Sequence, residues 1–327
     1  MSKHIEFSAT GGADVLNYVD YTPKEPAENE VQVANKAIGI NYIDTYVRSG
    51  LYPPPSLPSG LGTEAAGVVT KVGAGVSHIK VGDRVVYAQS TLGAYSDYHC
   101  VPADKIAKLP DDISFSQAAA SFLKGLTVYY LLQMTYQVKP GETILFHAAA
   151  GGVGRIACQW AKALGVKLIG TVGSDEKAAQ AKRDGAWATI NYHTEDIAAR
   201  VAELTNGEKV NVVYDSVGKS TWLASLNCLK PHGLMVSFGN ASGAVTGVDL
   251  GILNQKGGLF VTRPSIGNYI TTPQILQHAA AELFSMIVSG AIDVDVPVKQ
   301  QFPLKDAARA HQLLESRATS GSCLLIP

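Results

Sequence analysis

Two rhythms of apolar and polar positions divide the chain. From residue 1 to about 124 short apolar runs alternate with turn clusters, as in Glu30-Val31-Gln32-Val33-Ala34-Asn35-Lys36-Ala37-Ile38 and Ala66-Gly67-Val68-Val69-Thr70-Lys71-Val72. Runs of this kind predict strands. Pro53, Pro54, Pro55 and Pro58 predict an exposed loop, because proline fixes φ and lacks the N–H that a helix interior or central strand would use. After Asp111-Asp112-Ile113-Ser114 the pattern turns alanine-rich and helical, predicting one helix over 115–123 capped by Ser114 and a second over about 125–134.

Between about 125 and 265 apolar strands alternate with helices, with strands expected at 143–147, 167–172, 188–191, 210–216, 233–238 and 259–262. Alternation predicts a doubly wound parallel sheet whose ligand lies off the carboxyl ends of its strands. The tail returns to helix at 274–289 and 306–314 and ends in a short strand at 322–326. A strand so late suggests that the tail rejoins the first domain. The expected organisation is α/β in two domains: a discontinuous β-rich one over 1–124 and 266–327, and a second over 125–265.

The run Leu145-Phe146-His147-Ala148-Ala149-Ala150-Gly151-Gly152-Val153-Gly154 carries an apolar strand through a glycine loop into a helix. Small residues at Ala149, Gly151 and Gly154 let the turn close, the backbone approach a pyrophosphate and the helix pack on the strand. Dinucleotide phosphates would sit on the unpaired N–H groups of the helix N-terminus. Alanine stands at the first glycine position, so the bare motif is incomplete. The strand that follows one helix later completes the βαβ unit that gives the motif its meaning. A tightly packed turn without nucleotide is the alternative.

The tip of that next strand reads Val172-Gly173-Ser174, with no acid to bind a ribose 2′-hydroxyl. Asp175 and Glu176 read as first-turn acids favoured by the helix dipole. Lys177 with Ser174 suits a 2′-phosphate, so NADPH rather than NADH is the expected cofactor. Gly173, Tyr192, Ser216, Gly239 and Asn240 stand just beyond strands and are either cofactor contacts or plain turn residues.

Composition narrows the classes. A net charge of −1 with 17% charged residues leaves no electrostatic footprint for nucleic acid or an anionic membrane. Cys100, Cys158, Cys228 and Cys323 form no C-x-x-C pair, arguing against a disulfide framework or a zinc ribbon. The N-terminus turns polar too early for a signal peptide, and no apolar run reaches the roughly 18 residues of a membrane span. A soluble, cytoplasmic protein is expected. His147, His99 and Cys100 lie in strand-like runs and read as structural, and no Ser/His/Asp set or H-E-x-x-H pattern supports hydrolysis.

Taken in order, Asn41-Tyr42-Ile43-Asp44, Gly62-Thr63-Glu64-Ala65-Ala66-Gly67, Gly82-Asp83-Arg84-Val85 and the Ala-Ala-Gly-Gly-Val-Gly loop resemble the medium-chain dehydrogenase/reductase superfamily. Ile40-Asn41-Tyr42-Ile43-Asp44-Thr45-Tyr46, Gly60-Leu61-Gly62-Thr63-Glu64 and Glu315-Ser316-Arg317-Ala318-Thr319 resemble its zinc-free quinone oxidoreductase branch, the relatives of zeta-crystallin. The resemblance covers essentially the whole chain. It implies a GroES-like first domain, a Rossmann second domain, a homodimer, and NADPH-dependent reduction of a quinone. The groups it implies around the substrate are Asn41, Asp44, Tyr46, Tyr52 and Thr63. As cofactor contacts it implies Asn41, Tyr46, Thr127, Tyr130, Gly151, Gly152, Val153, Gly173, Ser174, Lys177, Tyr192, Ser216, Phe238, Gly239, Asn240 and Arg317. Simpler roles stay open: Asn41 as the tie of a loop, either tyrosine as a packed core residue, Arg317 as a partner of a helix C-terminus.

In the zinc alcohol dehydrogenases of the superfamily the position matching Asn41 is a cysteine and that matching Thr63 a histidine. Asn and Thr supply neither thiolate nor imidazole, so no catalytic metal is expected. A quinone needs little Lewis acidity, since hydride transfer yields a hydroquinone anion whose charge spreads over the ring. Orientation and exclusion of water would be the enzyme's contribution. Two rivals remain. A 2-enoyl-thioester or 2-alkenal reductase would need a proton donor, for which Tyr46 or Tyr52 would serve, and basic groups such as Arg48 and Arg263 for an acyl thioester. A non-enzymatic nucleotide-binding or RNA-associating protein is the other, with near-zero charge weighing against RNA. The edge-like strand at 257–262 is a candidate dimer contact.

Overall fold

The strand Glu30–Ile40 organises the first part of the molecule. It pairs antiparallel with Ala65–Val72 along most of its length, with Tyr98–Pro102 over its first residues, and with the tail strand Cys323–Ile326 over its last, where Cys323 faces Ile40. The computed structural model describes residues 1–316 and 318–327. Its contacts group into two units, Met1–Leu126 with Thr271–Pro327, and Thr127–Ile270.

Among the described residues the first unit holds a seven-stranded sheet and a three-stranded antiparallel sheet. Ile5, Phe7, Val33, Ile38, Tyr87 and Tyr95 form part of one apolar cluster beneath them. Register shifts between Gln32 and Val33 and between Asn35 and Ala37 bend the strand Glu30–Ile40. The chain leaves it at Ile40 and turns at once into helix Tyr42–Ser49, so Asn41 becomes the N-cap. That helix closes at Gly50 in the left-handed region, φ 85°, a conformation open to glycine.

Where two helices were expected over 115–134, one runs from Phe115 to Tyr129 and continues as a π-helical turn, Tyr130–Thr135. Gly125 does not break it. A Cβ there would lie 2.5 Å from Leu283 of helix Pro273–Val288, so glycine answers a close approach and not a chain reversal. Helix propensity alone cannot distinguish these two uses.

Among the described residues the second unit has a six-stranded, all-parallel sheet: Thr143–Phe146, Lys167–Val172, Ala188–Asn191, Val210–Asp215, Leu229–Ser237 and Phe260–Thr262. Counted along the chain the strands lie 3-2-1-4-5-6, reversing between the first and the fourth. This is the doubly wound order, and the reversal point is where such sheets bind ligands. Helices cover both faces, and Ile144, Leu145, Phe146, Leu168, Ile169, Val212, Val213 and Tyr214 are at most 1% exposed. Each fully buried side chain of that size stabilises by roughly 1.5–3 kcal/mol. The first strand stops at Phe146, one residue short of expectation, and leaves His147 in the turn.

Candidate functional site

The glycine loop follows from the way its first residues are held. Ala148 is left-handed at φ 55°, a conformation that costs an L-residue roughly 1–2 kcal/mol. Its carbonyl accepts from Gly151 N–H at 2.9 Å, closing the turn, and helix Gly152–Ala163 starts directly after. A Cβ on Gly154 would stand 2.3 Å from the Ala148 oxygen and 2.6 Å from the Ala149 carbonyl carbon. Only glycine lets the helix seat on its own turn. Gly152 and Val153 are half-buried, at the end of the helix where N–H groups lack intrahelical acceptors, while the half-buried Gly151 spends its N–H on Ala148. Those donors and the helix dipole suit a phosphate. Arg155 is turned to the flank, where it pairs with Asp184 at 2.7 Å.

At the next strand tip Ser174 caps helix Asp175–Arg183, its Oγ accepting from Lys177 N–H at 3.3 Å. Asp175 accepts from Asn191 Nδ2 at 3.1 Å, so this acid is engaged by the neighbouring strand end. Gly173 lies under the Tyr192 hydroxyl, where a Cβ would come within 2.4 Å. The Tyr192 ring is 39% exposed. The half-buried Ser216 begins a turn held by Asp215, whose Oδ1 accepts from Val217 N–H at 2.7 Å and Gly218 N–H at 2.9 Å. Gly239 backs onto that turn, with room for no Cβ: Ser216 O would be 2.4 Å away. Phe238 packs on Phe146 with centroids 5.7 Å apart, and Asn240 follows, half-buried. Thr127 lies on the long helix, and Tyr130 opens its π-helical turn, a feature frequent at functional sites. The Tyr130 ring stacks on Tyr269 at 5.1 Å, and burial pushes its phenol pKa up. Arg317 lies outside the described residues.

In the first unit Asn41 is 8% exposed and bound twice. Its backbone N–H donates to Asp44 Oδ2 at 2.8 Å, and its Nδ2 donates to Glu64 Oε2 at 2.7 Å. A carboxylate can only accept, so the atom facing Glu64 is the amide nitrogen and the amide oxygen occupies the other position. Glu64 is fully buried; its other oxygen accepts from Leu123 N–H at 2.6 Å, and Lys124 Nζ stands 3.8 Å away. Burial raises the Glu64 pKa, opposed by Lys124 and these donors. The half-buried Thr63 offers its carbonyl to Ser90 N–H at 3.3 Å. Tyr46 and Tyr52 meet edge to face, centroids 5.4 Å apart, with Tyr52 37% exposed.

Two sequence expectations need correction. Asp44 does not face a substrate: it is 1% exposed, and its Oδ2 accepts from Asn41 N–H and from the Tyr95 hydroxyl at 2.9 Å. Burial, the largest influence, pushes its pKa up to about 7. Arg48 is no basic group at a cleft mouth either. It is 3% exposed and grips Glu315 at 2.7 and 3.1 Å, with His311 Nδ1 at 3.2 Å. Arg263 donates to Ser237 O at 3.0 Å. Sequence reading missed Glu64, which lies inside a quoted motif; its signal was an acid opening an apolar strand. It also missed Asp215, an acid ending one.

A zinc ion does not fit the Asn41 corner. Asn41 presents an amide where a strong ligand would be needed, and both Glu64 oxygens already accept hydrogen bonds. Among the described residues no group of three or more His, Cys, Asp or Glu is arranged to hold a metal.

Comparison with known proteins matches residues 27–111 to the alcohol dehydrogenase GroES-like domain and residues 152–281 to the zinc-binding dehydrogenase family. The chain is 71% identical to quinone oxidoreductase of Salmonella typhimurium and 69% identical to quinone oxidoreductase 1 of Escherichia coli, covering 100% of both chains in each case. The crystal structure of Escherichia coli quinone oxidoreductase complexed with NADPH superposes with a TM-score of 0.99 at 70% identity, covering 99% of this chain and 100% of that one.

Proposed function

The chain belongs to the quinone oxidoreductase family of the medium-chain dehydrogenases and reductases, and from that membership we propose that it reduces quinones with NADPH and without a metal. The observation that carries this reading is the end-to-end similarity to quinone oxidoreductases. The donor chemistry around Asn41 agrees with it, since that corner is built from an amide and an already bonded carboxylate.

The second unit's glycine turn supports NADPH: with no side chain at Gly154 the helix seats directly on its own turn, bringing the N–H groups of its first turn to the strand tips. Backbone N–H groups of Gly152 and Val153 would hold the pyrophosphate, and Gly151, whose N–H closes the turn on Ala148, would let it approach. Gly173, Ser174 and Lys177 would hold the 2′-phosphate, with Tyr192 flanking them; the absence of an acid before Asp175 removes the group that would repel it. Ser216, Phe238, Gly239 and Asn240, together with Thr127 and Tyr130, would line the remainder. Bound NADPH supplies a hydride from C4 of its nicotinamide. In the first unit Asn41, Tyr46, Tyr52 and Thr63 are the groups assigned to the quinone: the tyrosines offer flat faces with hydroxyls at the rim, and Asn41 offers a fixed amide oxygen. Asp44 acts through Asn41, as the partner of its backbone N–H. The hydroquinone anion needs no strong electrophile, and its proton can come from solvent.

We place the protein in the cytoplasm as a homodimer. Free thiols at all four described cysteines suit a reducing compartment, and no helix among the described residues is long and apolar enough to cross a membrane. The edge strand Phe260–Thr262, with Phe260 62% exposed, is the surface offered to a second copy.

Initial rates of NADPH oxidation with a small para-quinone in EDTA, run beside NADH and a 2-enoyl thioester, test the activity. Chelator-insensitive turnover with quinone and NADPH is expected. Turnover with the thioester alone would replace this reading with an enoyl reductase. Sedimentation at micromolar concentration should give a dimer mass, and a monomer mass would remove the edge-strand contact.

A further inference from the structure

Beneath the glycine loop runs a chain of buried side chains whose hydrogens are all assigned by its last member. Asp215 is fully buried, and its Oδ2 lies 2.8 Å from Ser225 Oγ. A carboxylate only accepts, so the Ser225 hydrogen points at Asp215. Ser225 Oγ must then accept from His147 Nε2, 2.9 Å away. His147 therefore carries its hydrogen on Nε2 and presents a bare Nδ1, which accepts from Thr171 Oγ1 at 3.0 Å. With its hydrogen committed there, Thr171 Oγ1 is left to accept, and the N–H of Ala148 lies 3.3 Å from it. The chain of donors thus runs from Ala148 through Thr171, His147 and Ser225 to Asp215.

Thr171, His147 and Asp215 sit at the tips of three adjacent strands, and Ser225 on helix Trp222–Asn227. Thr171 belongs to Lys167–Val172, His147 follows Thr143–Phe146, and Asp215 ends Val210–Asp215. Each tip leads into a loop assigned above to NADPH, and the chain begins on Ala148, the left-handed residue that opens the glycine turn. We propose that His147 is the positioning residue of the dinucleotide loop, a neutral imidazole that locks three strand tips together and holds Ala148 in its left-handed conformation. The proposal rests on the reading of this loop as the NADPH site.

Burial agrees with the neutral form. His147 is wholly inaccessible, and burial lowers its pKa against the opposing pull of Asp215. A second proton would also set an N–H against the hydrogen that Thr171 directs at Nδ1. The titratable group facing His147 in this chain is Asp215, reached through Ser225.

The test compares wild type with Thr171→Val, Ser225→Ala and His147→Leu in the full-length protein. Measurements are the NADPH Kd by fluorescence titration, the thermal midpoint, and the imidazole ¹⁵N shifts of His147 between pH 6 and 8. Each single hydroxyl removal should weaken NADPH roughly tenfold and His147→Leu about a hundredfold, the scale of one and two lost hydrogen bonds. The quinone KM at saturating NADPH should stay within about twofold, because no member of the chain is assigned to the quinone. The shifts should report a protonated Nε2 and an unprotonated Nδ1 throughout. Should His147→Leu fail to fold, the two hydroxyl variants carry the test. Unchanged NADPH affinity in folded Thr171→Val and Ser225→Ala, or a hydrogen on Nδ1, overturns the proposal even if the midpoint falls, since a merely structural histidine would lower stability alone. Wild type that binds no NADPH would instead sink the reading of the loop, and this inference with it.

Discussion

The networks beneath the glycine loop and around Asn41 bury polar groups in opposite ways. Beneath the glycine loop the partners are neutral until the last, Asp215, whose carboxylate accepts from Val217, Gly218, Thr221 and Ser225. Around Asn41 the buried groups are charged or poised to be: Glu64 beside Lys124, Asp44 under Tyr95, and Arg48 clasping Glu315. A neutral network loses about one hydrogen bond's worth of stability when a member is removed. A charged one strands its partner in a medium that solvates it poorly, and the loss is several times larger. The nucleotide unit should thus respond to mutation mainly in affinity, and the first unit mainly in stability.

The largest break in that contrast is Lys124→Met. Glu64 would keep Asn41 and Leu123 as donors but lose its cation, and removing one partner of a buried pair costs about 3–5 kcal/mol. Urea unfolding should show a loss of that order, with Glu64→Gln in the same chain recovering part of it. A loss under about 1 kcal/mol would mean that Lys124 is not the counter-charge of Glu64.

Next comes pH. The folded-state pKa of Asp44, about 7, lies above its unfolded value. Between the two the folded protein binds the extra proton, so this contribution to stability is full below the unfolded value and is lost as pH rises through about 7. Both donors to Asp44 fall on Oδ2, so an asparagine oxygen can accept both. Asp44→Asn should match wild type only below the unfolded carboxylate value, gain on it as pH rises towards 7 and keep a constant lead above pH 8, measured as the unfolding midpoint against pH. Glu64 shifts the same way in both proteins and leaves the difference intact. Parallel profiles would show that Asp44 is ionised in the fold at no cost.

Gly154→Ala sharpens the other side. The added methyl meets backbone at 2.3 Å, which no rotamer relieves. Overpacking of this kind costs roughly 1–3 kcal/mol, and because the shift falls on the turn itself, NADPH affinity should fall further than the thermal midpoint implies. Equal affinity in the folded variant would detach the turn from the cofactor.

What the sequence made legible follows the range of the forces involved. Strand Lys167–Val172 lies where its apolar run predicted, because a strand buried on both faces writes itself as consecutive apolar residues. The glycine loop was legible for the same local reason. Gly125 was misread because its meaning lies in Leu283, far along the chain. Arg48 reads as a surface cation until Glu315 and His311, more than 260 residues away, close over it. Glu64 carries no local mark of Asn41 or Leu123 either, 23 and 59 residues away, and pattern alone could say only that an acid borders an apolar strand.

The smallest expected effect falls on the residue that serves both local structure and ligand. Ser174 caps helix Asp175–Arg183 through Lys177 N–H, and loss of such a cap costs about 1 kcal/mol. Ser174→Ala should lower stability by that amount whichever cofactor the protein uses. If Ser174 also faces the 2′-phosphate, the variant should raise the KM for NADPH and leave that for NADH unchanged, narrowing the preference between them. Equal weakening of both would assign Ser174 to the helix alone and transfer the discrimination to Lys177. The cap oxygen accepts one backbone hydrogen and its own hydrogen is shared with the Glu176 carboxylate, so a phosphate would take that hydrogen from Glu176, and alanine removes both functions in one step. The ratio of the two KM values, not either one by itself, separates them.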